Sequence, residues 1–495
     1  MRAAFVFCQH RIMRLLLLLM AVSQLYGQSA VQAEKATRAK ALLAETKFTE
    51  AAAIYTELVQ QIPNNPGLLL NQGMALHMSG ADAKAIPPLE AALKLNPNIP
   101  PALLFLGASY LRTGQPAKAL LPLEKFTTLD PNHIEARQML IDAANTSGQP
   151  ARAIPHLEKL GLYYDLGRTY QALAFDTFAQ LEKLYPESGP FFALLADSRS
   201  KTSQRRAAFF FYRKALEKSP ALQGLRTSIA DIYRTNGNPE WALHEEAAEA
   251  RLPAPNCKLK TAECEFLAGR FSNSIRLSKA ANTAMNLYWR TRSYNQLTAE
   301  AFNKLQTGTP ESYRYIAEIS RDQNRHADAA EAWKQALQLV PDQPDFQREL
   351  AAAYLALKNY DEAQKLTTFL LAKEPDAADI NHLQGDLFLA QQLPDRAEPF
   401  LAKAAKLAPG VLATRASYAR ALLALGKAKE ALPHVTASLP LDTDGSLHIQ
   451  LARAYQASGQ TEAAKLAMAK YQEIQARSRK QDQVLEDEVK ITPPQ

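Results

Sequence analysis

The sequence predicts an all-α protein, a solenoid of stacked antiparallel helix pairs. Three observations carry this. Prolines recur at a fixed interval: Pro63, Pro97 and Pro131 are 34 residues apart, as are Pro186 and Pro220, and again Pro341, Pro375 and Pro409. Between them, groups such as Gly114-Gln115-Pro116, Gly148-Gln149-Pro150 and Gly237-Asn238-Pro239 mark the middle of a unit. Small residues face large ones at helical spacing, while the alternating Val, Ile and Thr runs of strands are nearly absent.

Each element follows from backbone chemistry. Proline cannot continue a helix, so each proline after an amphipathic stretch, as in Leu93-Lys94-Leu95-Asn96-Pro97, marks a helix end. Glycine accepts the left-handed conformation that closes a first helix. The proline behind it suits the first turn of a second helix, where its missing donor costs nothing. Small residues fall where two helices must approach: Gly73, Gly107, Ala230, Ala317 and Gly385 in first helices, and Ala85, Ala119, Ala329 and Ala397 early in second helices. Large residues stand beside them, among them Tyr110, Tyr233, Tyr354, Leu89, Leu123 and Trp333. Small against large is how helix pairs interlock at native density.

At these residues the chain closely resembles the tetratricopeptide repeat family, over roughly residues 33–476. The resemblance implies a right-handed superhelix whose concave face is lined by first helices and which binds peptides or protein segments. By the family's usual facing, the inward side of the first block reads Leu70, Met74, His77, Leu104, Phe105, Ala108 and Leu111. The same side further on reads Asp197, Asp231, Arg234, Arg314, Glu318 and Arg321. This implies a partly apolar groove followed by a charged stretch; the competing reading packs the apolar residues between repeats. The Lys, Asn and Arg set with which some members clamp a carboxylate terminus is not found, so terminus capture is not expected.

The ladder breaks twice, and the breaks match. Residues 163–188 and 287–312 align, pairing Tyr170 with Tyr294, Leu173 with Leu297 and Phe178 with Phe302. Both lack the glycine turn, which predicts one long helix or a strained tight turn in each. An ancestral duplication explains the match; independent drift of two repeats is the alternative. The predicted organisation is a signal peptide over 1–33, repeat blocks over 34–160, 162–283 and 286–480, the last ending in a cap helix, and a disordered tail over 481–495.

The first segment has the order of a secretory signal. Arg11 and Arg14 precede the apolar run Leu15 to Val22, and small or polar residues follow. The run is too short for a spanning helix, which needs about 20 residues. Cleavage after Gly27 or after Ala33 fits, and translation starts at Met1 or Met13. An exported protein is expected, periplasmic or secreted, without stable membrane insertion once the signal is removed.

Charge points to no nucleic acid. The net charge is +7, Arg2, Arg11 and Arg14 supply part of it, and acids and bases are interspersed along the helices. Nor does any motif point to catalysis. The nine histidines are scattered, and none is spaced from another as in a zinc motif. His156 and His434 each follow a proline and read as repeat surface. Asp442-Thr443-Asp444-Gly445 has part of a calcium-loop pattern without its closing Glu, and reads as a turn. No catalytic, cofactor-binding or metal-binding residue is assigned. Phe209-Phe210-Phe211-Tyr212 covers more than one side of a helix, so a ring packs on the preceding long helix or forms an exposed contact site.

Export makes disulfides possible. With Cys8 lost in the signal, Cys257 and Cys264 remain. In one straight helix their Cα atoms would lie about 10 Å apart, beyond the roughly 7 Å a disulfide allows. A bond therefore requires Cys257 to precede the helix, which Pro253 and Pro255 favour; the alternative is two separate core thiols. The function expected is a non-catalytic scaffold binding a protein or peptide partner. The alternatives are a structural module of an envelope assembly or polysaccharide-export machine, or the binding arm of a glycosyltransferase type without its catalytic domain.

Overall fold

The computed structural model describes residues 30–483 and 490–494. The described residues form successive helices with no strand among them. The export segment lies outside them except at its end. The first helix, Ala30–Ala44, starts before the expected boundary at residue 33, because Ala30 to Ala33 continue a run without a helix breaker.

The helices come in pairs where the punctuation places them. Pro66–Met78 pairs with Asp82–Leu95, Pro100–Arg112 with Pro116–Leu129, and Leu225–Thr235 with Pro239–Ala250. Beyond the second long helix, Pro310–Asp322 pairs with His326–Leu339 and Ala378–Ala390 with Pro394–Leu407. The spaced prolines stand in the turns that follow second helices, and a second set opens helices, as at Pro100, Pro116, Pro239 and Pro344. Gly114 takes φ +71° in its turn. The turn does not strictly require glycine: Lys358 and Gln392 hold the same left-handed conformation at φ +59° and +61°.

Both irregular segments are long helices, Tyr163–Leu184 of 22 residues and Ala284–Asn303 of 20. The described residues group into two compact units. One lies within Met1–Leu173 and Leu297–Ala301, the other within Ala174–Gln296 and Phe302–Gln495. These differ from the three blocks expected. The first division falls inside a long helix, where no breaker in the sequence could announce it.

Close approach between paired helices is the repeated packing element. A methyl group placed on Gly107 would lie 2.5 Å from Leu123 Cγ. Gly73 meets Leu89, and Gly385 meets Leu401, in the same way. Leu89, Leu123 and Leu401 are fully buried there, as is Tyr233 in the second unit.

The sequence predicts disorder over 481–495, and the structure differs. The last helix, Thr461–Gln483, extends into that range. Beyond it, Ile491 packs against the core cluster of the second unit that contains Tyr233 and Trp289. The Tyr233 hydroxyl donates to the Thr492 carbonyl at 2.7 Å. One aliphatic side chain and one main-chain acceptor are enough to anchor a segment that is otherwise polar.

The Gly107–Leu123 contact makes a prediction. Gly107→Ala overpacks it and lowers stability by about 1–3 kcal/mol, despite alanine's better helix propensity. The loss shrinks in a Leu123→Ala background, where the methyl has room. Urea midpoints of the four proteins in this double-mutant cycle check it.

Candidate functional site

In the first unit the apolar groove is not open. Met74, Leu104, Phe105 and Ala108 are buried, and Leu70 and Leu111 are half-buried. The Phe105 ring packs against His77 of the preceding first helix. Burying Leu104 and Phe105 there removes more apolar surface from water than an empty groove would allow.

What the first helices bring together instead is a polar network. His77 is 8% exposed. Its Nδ1 lies 2.9 Å from Ser109 Oγ and 2.7 Å from Asp82 Oδ1. The other Asp82 oxygen takes Arg112 Nε at 2.9 Å. The network joins one helix pair to the first helix of the next, and the His77 ring lies 5.3 Å from that of Phe105. Sequence reasoning selected His77 but not Asp82, Ser109 or Arg112, which lie on other helices. A serine, a histidine and an aspartate here do not make a hydrolytic relay. A relay needs the two ring nitrogens to face different partners, and here Nδ1 faces both. Ser109 is also wholly buried, with no room for a substrate.

The charged positions lie in the second unit, each with a local partner. Asp197 accepts from the Tyr212 hydroxyl at 2.6 Å; burial first, then the Asp197 charge, pushes that phenol well above its ordinary value. Arg234 pairs with Asp231 at 3.0 Å and also with Glu246. Arg314 pairs with Glu318 one turn along, at 3.2 Å, and Arg321 with Glu349 at 3.0 Å. This surface is polar and locally neutralised. Such exposed pairs add little stability, about 0–1 kcal/mol each.

Two sequence readings change. His156 is buried rather than surface: its Nδ1 lies 2.9 Å from Arg137 Nη1, and burial and that guanidinium hold its pKa below the ordinary value. The aromatic run at 209–212 is absorbed by packing. Phe209 and Tyr212 are buried, Phe211 stacks on Phe192, and Lys214 covers Phe210 at 4.6 Å. Asp442 caps the helix Ser446–Ala457, accepting from the Leu447 and His448 amides at 3.1 and 3.0 Å.

Cys257 and Cys264 are joined by a disulfide, with their Cα atoms 5.4 Å apart. Cys257 opens a single 3₁₀ turn, and the helix carrying Cys264 begins at Ala262, capped by the Thr261 side chain. In the core of the same unit, the Arg292 guanidinium lies over the Phe266 ring at 4.9 Å and donates to the Tyr288 hydroxyl at 3.0 Å. Burial pushes the Tyr233 hydroxyl up to about 12, so it remains a donor at neutral pH.

Stacked helix pairs with small–large locks and buried polar ties define a helical repeat solenoid. Tetratricopeptide repeat family models match residues 36–100 and 320–387, one stretch in each unit. The chain is a multi-repeat tetratricopeptide protein, a scaffold of the kind that mediates protein–protein interaction. Among solved structures it is similar to MamA of strain MSR-1, at 25% identity over 34% of this chain and 98% of that one, with a TM-score of 0.30. It is also similar to a thermophilic tetratricopeptide protein of Thermus thermophilus, at 17% identity over 36% and 97%, TM-score 0.31. MamA of Desulfovibrio magneticus RS-1 matches at 17% identity over 34% and 96%, TM-score 0.30. No curated protein matches the sequence.

Two predictions follow from this geometry. Asp82→Ala leaves His77 and Arg112 without their shared carboxylate and costs about 1–3 kcal/mol, seen as faster amide exchange in Pro66–Leu95. For the disulfide, non-reducing mass spectrometry of the exported protein gives a bridged 257–264 peptide. Serine at both positions lowers stability by at most about 2–3 kcal/mol, because the closed loop is short.

Proposed function

We propose that the chain is a non-catalytic binding scaffold of the cell envelope or extracellular space that presents its first helices to a protein or peptide segment. One observation supports this above the rest. The residue clusters that could do chemistry are spent on the fold: the His77 network is buried, and the charged positions are paired with near neighbours. What is left for function is surface. Stacked repeats supply that within each unit, one repeat at a time.

Location outside the cytoplasm is supported by two features together. One is the basic, apolar, small order of residues 1–33; the other is a disulfide, which persists in oxidising compartments. No helix among the described residues is long and apolar enough to cross a membrane. Cleavage after Gly27 leaves the helix Ala30–Ala44 whole, whereas cleavage after Ala33 removes its first turn.

The test uses the full chain in its host, with a photo-crosslinking residue at Leu111, Asp231 or Arg321, and at Leu466 on the last helix as control. One protein should be captured from the first-helix positions and not from Leu466, in the envelope or medium fraction. The same capture from all four positions, or recovery of the uncleaved chain in the cytoplasm, overturns the reading.

A further inference from the structure

The starting point is a repeating hydroxyl contact. Tyr110 donates to Glu90 and Tyr418 to Glu398, each 20 residues earlier on the preceding second helix. The tyrosine of the helix Leu225–Thr235 is Tyr233, and the position 20 residues before it holds Arg213. A guanidinium has no acceptor atom. Arg213 instead lies 3.9 Å from the buried Glu245, which also pairs with Arg226 at 2.7 Å. The same register gives Tyr354 a cation, Lys334, beside its ring. At Tyr233 the missing acceptor is replaced from far along the chain.

That replacement is the Thr492 carbonyl, 259 residues away in sequence. Ile491 packs on the cluster around Tyr233, and Trp241 closes on the tyrosine ring edge-on with centroids 5.5 Å apart. The segment suits the role. A residue before proline is held extended, so Pro493 fixes Thr492 in a shape that presents its carbonyl. Pro494 keeps the following bond in the same regime. Little ordering entropy is then lost on docking.

We infer that the surface beside Tyr233 is a docking site for an extended segment of the pattern aliphatic–x–Pro–Pro, held in this chain by its own residues 490–494. A partner carrying such a segment gains the site only by displacing the chain's own copy. Its affinity is therefore set by competition with a tethered ligand. Three features define the recognition: an aliphatic side chain against the cluster, a main-chain carbonyl on a neutral phenol, and prolines that keep the backbone extended. This deepens the scaffold reading and rests on it for the partner, while the site itself stands on the Tyr233 geometry.

The experiment uses the full chain, wild type and Ile491→Asp, with a fluorescent amidated peptide of residues 487–495. Binding is read by anisotropy. The variant, whose own segment is expelled because a charge cannot pack against the apolar cluster, should bind the peptide saturably. The wild type should bind it at least about tenfold more weakly, because the tethered copy competes at an effective concentration in the millimolar range. The same peptide carrying Ile491→Asp should not bind, and Tyr233→Phe in the Ile491→Asp chain should weaken the unmodified peptide about three- to tenfold. Equal affinity for both chains overturns the inference, and so does absence of saturable binding to a variant with unchanged helicity. A photo-crosslinker at Ile491 in an otherwise wild-type chain gives a second reading if the variant misfolds. It should join the 225–250 region, with a yield that falls when excess peptide is present during irradiation; a crosslink elsewhere, or a yield the peptide does not reduce, overturns the inference. Neither readout involves the unknown partner, so failure of the first-helix capture leaves this result standing, and the reverse.

Discussion

The structure depends on how closely two helices of a pair approach. At Gly73, Gly107 and Gly385 the second helix sets a leucine where a side chain would otherwise be, and a single methyl group has no room there. That contact fixes the depth and rotation of one helix on the other. Rotation decides which residues turn inward, so the buried tyrosines, the alanines early in second helices and the polar ties between repeats all follow from it. Other repeats reach a similar approach with alanine, as at Ala230 and Ala317, both fully buried.

Polar groups inside such a stack need partners that the stack itself provides. Asp82 serves His77 and Arg112 from two first helices. Glu245, 1% exposed, is matched by Arg226 and more distantly by Arg213. A buried carboxylate without such partners would cost several kcal/mol, so each of these pairs is needed where the helices pack. Tyr233 obeys the same rule with an unusual solution, because the preceding second helix offers it a cation, Arg213, where Tyr110 and Tyr418 meet a carboxylate.

Helix ends, pairing and the two long helices were legible in the sequence, since each is set by a proline, a glycine or the lack of either within one repeat. The groove was legible only as a list of positions. Leu104 and Phe105 are groove positions by the family's facing, yet both are buried, and the Phe105 ring lies against His77 of the preceding first helix. His77 drew notice as a histidine, but Asp82, Ser109 and Arg112 carry no mark of their own, and only stacking brings the four together. The segment 490–494 read as disordered because its composition is polar and it has no periodic pattern.

By itself, the sequence determined the all-helical class, the 34-residue repeat and the places where helices begin and end. These are local matters: backbone angles, missing donors and the room a side chain needs within a pair. The tertiary structure alone decided which apolar positions are closed, which charges are neutralised and where residues 490–494 lie. Those outcomes depend on groups in other repeats, in one case 259 residues away. A hydroxyl without an acceptor on the preceding helix takes whatever acceptor the folded chain brings within reach, and local pattern holds no record of that.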